Sequence, residues 1–126
     1  MPLITPGLSA YEQSVRSTTA DVVTALRELL GAKLVAYLGS VNETRAVRQW
    51  AEGERAPSNE VVGRLRLAYQ VAGLISEREQ PRVVQAWFQG LNPQLDDVSP
   101  ARLLREADLG EAGPRILSAA RYFVAA

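Results

Sequence analysis

Gly39-Ser40-Val41-Asn42-Glu43-Thr44-Arg45-Ala46-Val47-Arg48-Gln49-Trp50-Ala51-Glu52-Gly53-Glu54-Arg55-Ala56-Pro57 is the stretch whose reading decides the fold. It follows the apolar run from Leu34 to Leu38, and Gly39 predicts a turn there because glycine takes a positive φ without a Cβ clash. Asn42 offers a side-chain oxygen to the orphan N–H groups of a new helix, and Glu43 sits at the positive end of its dipole. Ala46, Val47, Trp50 and Ala51 then share one face at helical spacing, with Thr44, Arg45, Arg48 and Gln49 on the other. Gly53 ends that helix, and Pro57 keeps the chain from resuming it at once.

Two short helices across a tight turn, the second with an arginine-bearing outer face, match what a helix-turn-helix needs. Its first helix supports, and its second lays outer residues in the DNA major groove. Val47-x-x-Trp50-x-x-Gly53-x-x-x-Pro57 resembles the Xre/Cro-type DNA-binding module. The competing reading is a surface helical hairpin that uses Trp50 as core. On the DNA reading, Arg45, Arg48 and Gln49 reach base edges, while Thr44, Arg55 and the Asn42 region meet phosphates. Arginine pairs bidentately with guanine and glutamine with adenine.

Outward from this stretch the chain reads as helices throughout. Residues 1–8, with Pro2, Pro6 and Gly7, predict an extended arm, and a weak helical signal runs from Ser9 to about Ser17. Thr18 or Thr19 caps a helix through Leu30, with Val22, Leu26, Leu29 and Leu30 in its stripe, and Gly31 ends it. Ala32 to Leu38 is the supporting helix, with Leu34, Val35 and Leu38 facing inward. Ser58 or Asn59 caps a long spine through about Ser76 whose apolar positions cover more than one stripe, so burial on two sides is expected. Arg64 and Arg66 are placed on its solvated edge.

Pro81 fits the first turn of a helix carrying Val83, Val84, Trp87, Phe88 and Leu91. The segment Gly90 to Ser99 is rich in turn formers. Ser99-Pro100 is an N-cap with proline at the first helical position. A last helix is expected from about Ala112, with Ile116, Leu117, Ala120, Phe123 and Val124. No period-two run of useful length occurs, so the fold class is all-α. The expected organisation is an arm over 1–17, a helix-turn-helix half over 18–76 and a second helical half over 77–126.

Composition removes several chemistries. The chain has 126 residues, 47% of them apolar, with no cysteine and no histidine. Disulfides, thiolate nucleophiles, imidazole bases and ordinary zinc sites are therefore out, and no metal or cofactor is expected. No run approaches the roughly 20 apolar residues of a bilayer span, and a cysteine-free chain without a signal-like start is expected in the cytoplasm. Net charge is zero, from 14 basic and 14 acidic residues. Binding DNA then requires a local patch and a homodimer or larger assembly rather than bulk charge. Catalysis would have to use carboxylates, Lys33, tyrosines or hydroxyls, and the adjacent pair Asp96-Asp97 is more simply a solvated turn, so an enzyme is not expected.

The segment Trp87-Phe88-Gln89-Gly90-Leu91-Asn92-Pro93-Gln94-Leu95, followed by Pro100-Ala101-Arg102-Leu103-Leu104, resembles the toxin-binding domain of the Xre/MbcA/ParS antitoxins. Arg64-Leu65-Arg66-Leu67-Ala68-Tyr69 is similar to that family's linking helix, and the likeness spans about residues 20–126. One departure is that this chain has Asp96-Asp97 where the family often has Gly-Gly. The resemblance implies a type II antitoxin that occludes the active site of an NAD-consuming RES-type toxin and represses its own operon. Its partners would be that toxin, in a hetero-oligomer, and operator DNA. Trp87, Phe88, Leu103 and Leu104 are expected in the core. The toxin contact then falls to Asn92, Pro93, Asp96, Asp97, Arg115, Arg121, Tyr122 and Phe123, of which Asn92, Asp96, Asp97, Arg115, Arg121 and Tyr122 are expected on the surface. The alternative is a plain Xre/Cro-like dimeric transcriptional regulator without a toxin partner.

Overall fold

The computed structural model describes residues 7–10 and 18–126. From Thr19 onward seven α-helices and one 3₁₀ turn follow in order: α1 Thr19–Leu30, α2 Ala32–Leu38, α3 Thr44–Ala51, α4 Asn59–Ser76, α5 Pro81–Gln89, the turn Pro93–Leu95, α6 Pro100–Glu106 and α7 Leu109–Ala125. No strand occurs among the described residues, and the fold is all-α. None of the helices among those residues is long and apolar enough to cross a membrane.

Local chemistry sets most boundaries. Thr18 Oγ1 accepts from the Asp21 N–H at 3.2 Å, Ser58 Oγ from Val61 at 3.3 Å and Ser99 Oγ from Arg102 at 3.2 Å. Each bond satisfies one of the orphan donors at a helix start. Gly31 ends α1 at φ +85°. Gly53, at φ +75°, closes α3: its N–H bonds the Trp50 carbonyl, and the Glu54 N–H bonds that of Gln49 at 2.9 Å. This pair of bonds is a Schellman closure. The last helix begins at Leu109, three residues before its expected start, because Asp108 Oδ2 caps the Glu111 N–H at 3.2 Å.

α4 is the spine. It packs against α1 on one side and α7 on the other, and it buries Leu65, Ala68, Val71, Ala72, Leu74 and Ile75. α1 meets α2, α3, α4 and α5, which is why Val23 joins Val22, Leu26 and Leu30 in the interior beyond the expected stripe. Valine is a weaker helix former than alanine by under about 0.7 kcal/mol, while its burial contributes about 1.5–3 kcal/mol, so packing decides these positions. One contiguous core joins both halves, since Leu34, Trp50, Phe88, Leu104 and Ile116 belong to the same cluster.

Several expectations are corrected. Gly39 does not turn the chain: its φ is −82°, and the left-handed residue is Ser40 at +56°. Gly39 is needed for space instead, because a Cβ there would lie 2.7 Å from Cη2 and Cζ3 of Trp50. Asn42 does not cap α3. Glu43 occupies the cap position, and no side chain accepts a capping bond there. Arg64 is not on a solvated edge; its side chain is 13% exposed, donates to the Leu38 carbonyl at 3.3 Å and Ser40 Oγ at 3.1 Å, and pairs with Glu60 at 2.7 Å. It ties the spine to the carbonyl end of α2. Leu91 lies beyond the end of α5 and is 75% exposed, so it does not extend the buried stripe.

Most of the expected arm and the weak helix after it lie outside the described residues. Where they are described, Gly7 is in a turn and Leu8 is helical rather than extended, Ser9 and Ala10 are helical as the weak signal predicts, and Gly7 and Ala10 are buried. Gly73 admits this segment, since a Cβ at that position would stand 2.6 Å from that of Ala10.

Candidate nucleic-acid interface

The segment Ser40–Glu43 turns the chain from α2 into α3, and α3 presents two unlike faces. Ala46, Val47 and Trp50 are buried, Ala51 is half-buried, and Thr44, Arg45 and Arg48 are exposed, with Gln49 half-buried beside them. The Trp50 indole N–H is buried without a hydrogen-bond partner. The surrounding packing must therefore absorb an orphan donor costing about 1–3 kcal/mol.

Four of the six residues expected at DNA converge. Asn42, Arg45, Gln49 and Arg55 line an open cavity of about 600 Å³ together with Ser40, Val41, Glu43 and Ala46. Thr44 lies on a neighbouring cavity that shares Asn42 and Arg45. Arg48 borders neither and projects from the middle of the outer face, where its Nη1 donates to Glu52 Oε2 at 3.3 Å. Both partners are about half exposed, at 47% and 46%. A pair of this kind contributes about 0.3–0.5 kcal/mol and is readily exchanged for a stronger acceptor.

Electrostatics temper the surface. Residues 42–55 carry Arg45, Arg48 and Arg55 against Glu43, Glu52 and Glu54, which leaves no net charge. Such a surface supplies shaped donors rather than a broad positive field, and contacts to it rest on geometry.

The residues expected at a protein partner are divided. Asn92 is buried, against expectation: its Oδ1 accepts from the Gln94 N–H at 2.9 Å, and its carbonyl accepts from Leu95 and Asp97. It knits its own loop and has little surface to offer. Phe123 is half-buried with its ring 6.4 Å from Trp87, so it also helps to hold the fold. Pro93, Asp96, Asp97, Arg115, Arg121 and Tyr122 are exposed, Tyr122 at 63%. Arg115 and Asp96 pair at 3.0 Å, bridging α7 to the loop.

Asp96 and Asp97 both adopt left-handed backbone, with φ of +57° and +62°. The aspartates therefore stand where glycine would carry the least strain. Asp97→Gly is expected to raise stability by roughly 0.5 kcal/mol, and the β-branched Asp97→Val to lower it by about 1–2 kcal/mol. Thermal denaturation of the two variants measures this; equal melting temperatures would mean the turn carries no strain.

Comparison with protein families, curated proteins and solved structures finds no match to the chain.

Proposed function

We propose that this chain is the antitoxin of a type II toxin–antitoxin pair, in which residues 77–126 cover the active site of an NAD-consuming RES-type toxin and α3 binds operator DNA. The observation that carries the DNA half is the two-faced α3, which keeps Ala46, Val47 and Trp50 inside and turns Thr44, Arg45 and Arg48 outward after a tight turn. Two copies would place two such helices about 34 Å apart on a pseudo-palindromic site. The toxin half is supported by the order of Trp87, Asn92-Pro93, Leu95 and Pro100-x-x-Leu103-Leu104, with Pro93, Asp96, Asp97, Arg121 and Tyr122 exposed nearby in sequence. This chain uses no chemistry of its own in that role; it blocks the toxin sterically.

One observation favours the plain dimeric regulator as the second reading. Trp87, Asn92 and Leu104, which carry much of the resemblance, are all buried, so they specify a fold more directly than a partner.

Cellular NAD separates the two readings. The neighbouring gene is induced with and without this chain. NAD is expected to collapse when that gene acts alone and to hold when the chain is co-expressed. An NAD level that never moves would sink the toxin assignment and leave the regulator.

A further inference from the structure

Beside the outer face of α3 lies a second open cavity, of about 660 Å³, that reaches from the helix-turn-helix into the second half of the chain. Lys33 from the first turn of α2, Arg45 from α3 and Arg105 from α6 all line it, against one acid, Glu43. Lys33 and Arg45 are exposed, and neither makes a hydrogen bond or ion pair within the described residues. Arg105 is held over the Tyr37 ring, its guanidinium carbon 4.5 Å from the centroid. That contact is made by charge on the ring face and leaves the five N–H donors of Arg105 unspent. Arg102, three residues earlier on α6, is already committed: its Nε donates to Glu106 at 2.8 Å. The hydrogen bond from Arg102 to Glu106, and then the Glu106 charge, raise its pKa from the ordinary arginine value.

We propose that Lys33, Arg45 and Arg105 form a clamp for the DNA backbone phosphate that flanks α3, so that Arg45 serves the backbone rather than a base edge and the second half of the chain takes part in DNA binding. The inference rests on the DNA reading given above and adds to it a contact from outside the helix-turn-helix. Three cations from three elements face one carboxylate, so the cavity selects an anion. Its rim shares Asn42, Thr44 and Arg45 with the expected DNA face, which makes a phosphate on the same duplex the matching occupant. Thr44 begins α3 with no side chain capping its first N–H groups, and these add donors at the same edge.

The test is fluorescence anisotropy with a labelled duplex of the DNA immediately upstream of the chain's own gene, from 50 to 200 mM salt. The proteins are wild type, Lys33→Gln, Arg105→Gln, Arg105→Lys, Glu43→Gln and the control Arg82→Gln, an exposed arginine that lines neither cavity, with melting temperatures recorded for each. Each lost phosphate contact is expected to make the slope of log K against log salt shallower by about 0.9 per bound protomer, about a 3.5-fold smaller loss of affinity over that salt range. Arg105→Lys keeps the slope, Glu43→Gln strengthens binding, and Arg82→Gln changes nothing. Wild-type binding with an unchanged slope in Arg105→Gln overturns the clamp and leaves the DNA reading standing. Failure of the wild type to bind the duplex at 50 mM overturns both. Lys33→Gln alters an exposed side chain and stays informative if Arg105→Gln folds poorly.

Discussion

Arg48→Ala is expected to abolish binding to the upstream DNA at working concentrations while the fold and the neutralisation of a toxin stay intact. Arg48 stands at the centre of the outer face of α3, one turn beyond Thr44 and Arg45, and its one polar partner among the described residues is Glu52, the residue that caps the end of that helix. A bidentate arginine–guanine contact is worth about 1–3 kcal/mol, and a dimer on two half-sites loses it twice. The loss in affinity is then roughly thirtyfold at the low end and more than a thousandfold at the high end. Stability should move by less than about 0.5 kcal/mol, because alanine is the best helix former and the surrendered ion pair is exposed. Removing Arg48 also leaves Glu52 unbalanced beside the phosphates, which adds repulsion. Circular dichroism, DNA binding and toxin neutralisation are measured on the same preparation. Retained DNA binding would remove α3 as the reading helix. Loss of DNA binding and neutralisation together would mean that the two activities do not belong to separate halves.

What was legible in the sequence is what a few neighbouring residues decide. Ser99-Pro100, Ser58 and Gly53 announce helix ends because a capping hydroxyl or a left-handed glycine acts within three residues of itself. The buried and exposed sides of α3 follow from spacing alone, and the two-sided burial of α4 follows from the width of its apolar pattern. What escaped depends on partners far along the chain. Glu60 and Arg64 have the i, i+4 spacing of a helical pair, yet nothing local shows that Arg64 also reaches the Leu38 carbonyl 26 residues away. Asn92 has the composition of a surface turn residue, and its burial comes from the loop that folds back on it to bridge with Val98. The convergence of Lys33, Arg45 and Arg105 is invisible for the same reason, since α6 comes beside α2 through packing between distant parts of the chain.

Gly39 turns the same lesson into the largest expected effect on stability. A glycine after an apolar run suggests a backbone role, and a backbone role predicts that alanine fails because of φ. The observed φ of −82° is one any residue adopts, so on that ground alanine would be favourable by up to about 1 kcal/mol. The obstacle is the Trp50 ring, 2.7 Å from the position a Cβ would take at two of its carbons. Real Cβ contacts do not come that close, so Gly39→Ala must displace either α2 or the buried indole. Overpacking of this kind costs about 1–3 kcal/mol, which lowers the melting temperature by several degrees in a domain of this size. The steric account makes a second demand that a conformational one does not. Trp50→Phe removes the outer ring carbons, together with the orphan indole N–H, and leaves room at residue 39. In that background Gly39→Ala is expected to be neutral or stabilising, giving a coupling of about 1–3 kcal/mol in a double-mutant cycle. If alanine costs the same with phenylalanine at 50 as with tryptophan, the clash is not what requires the glycine. If the cost vanishes, the turn between α2 and α3 is held by one ring packed against a residue that has no side chain.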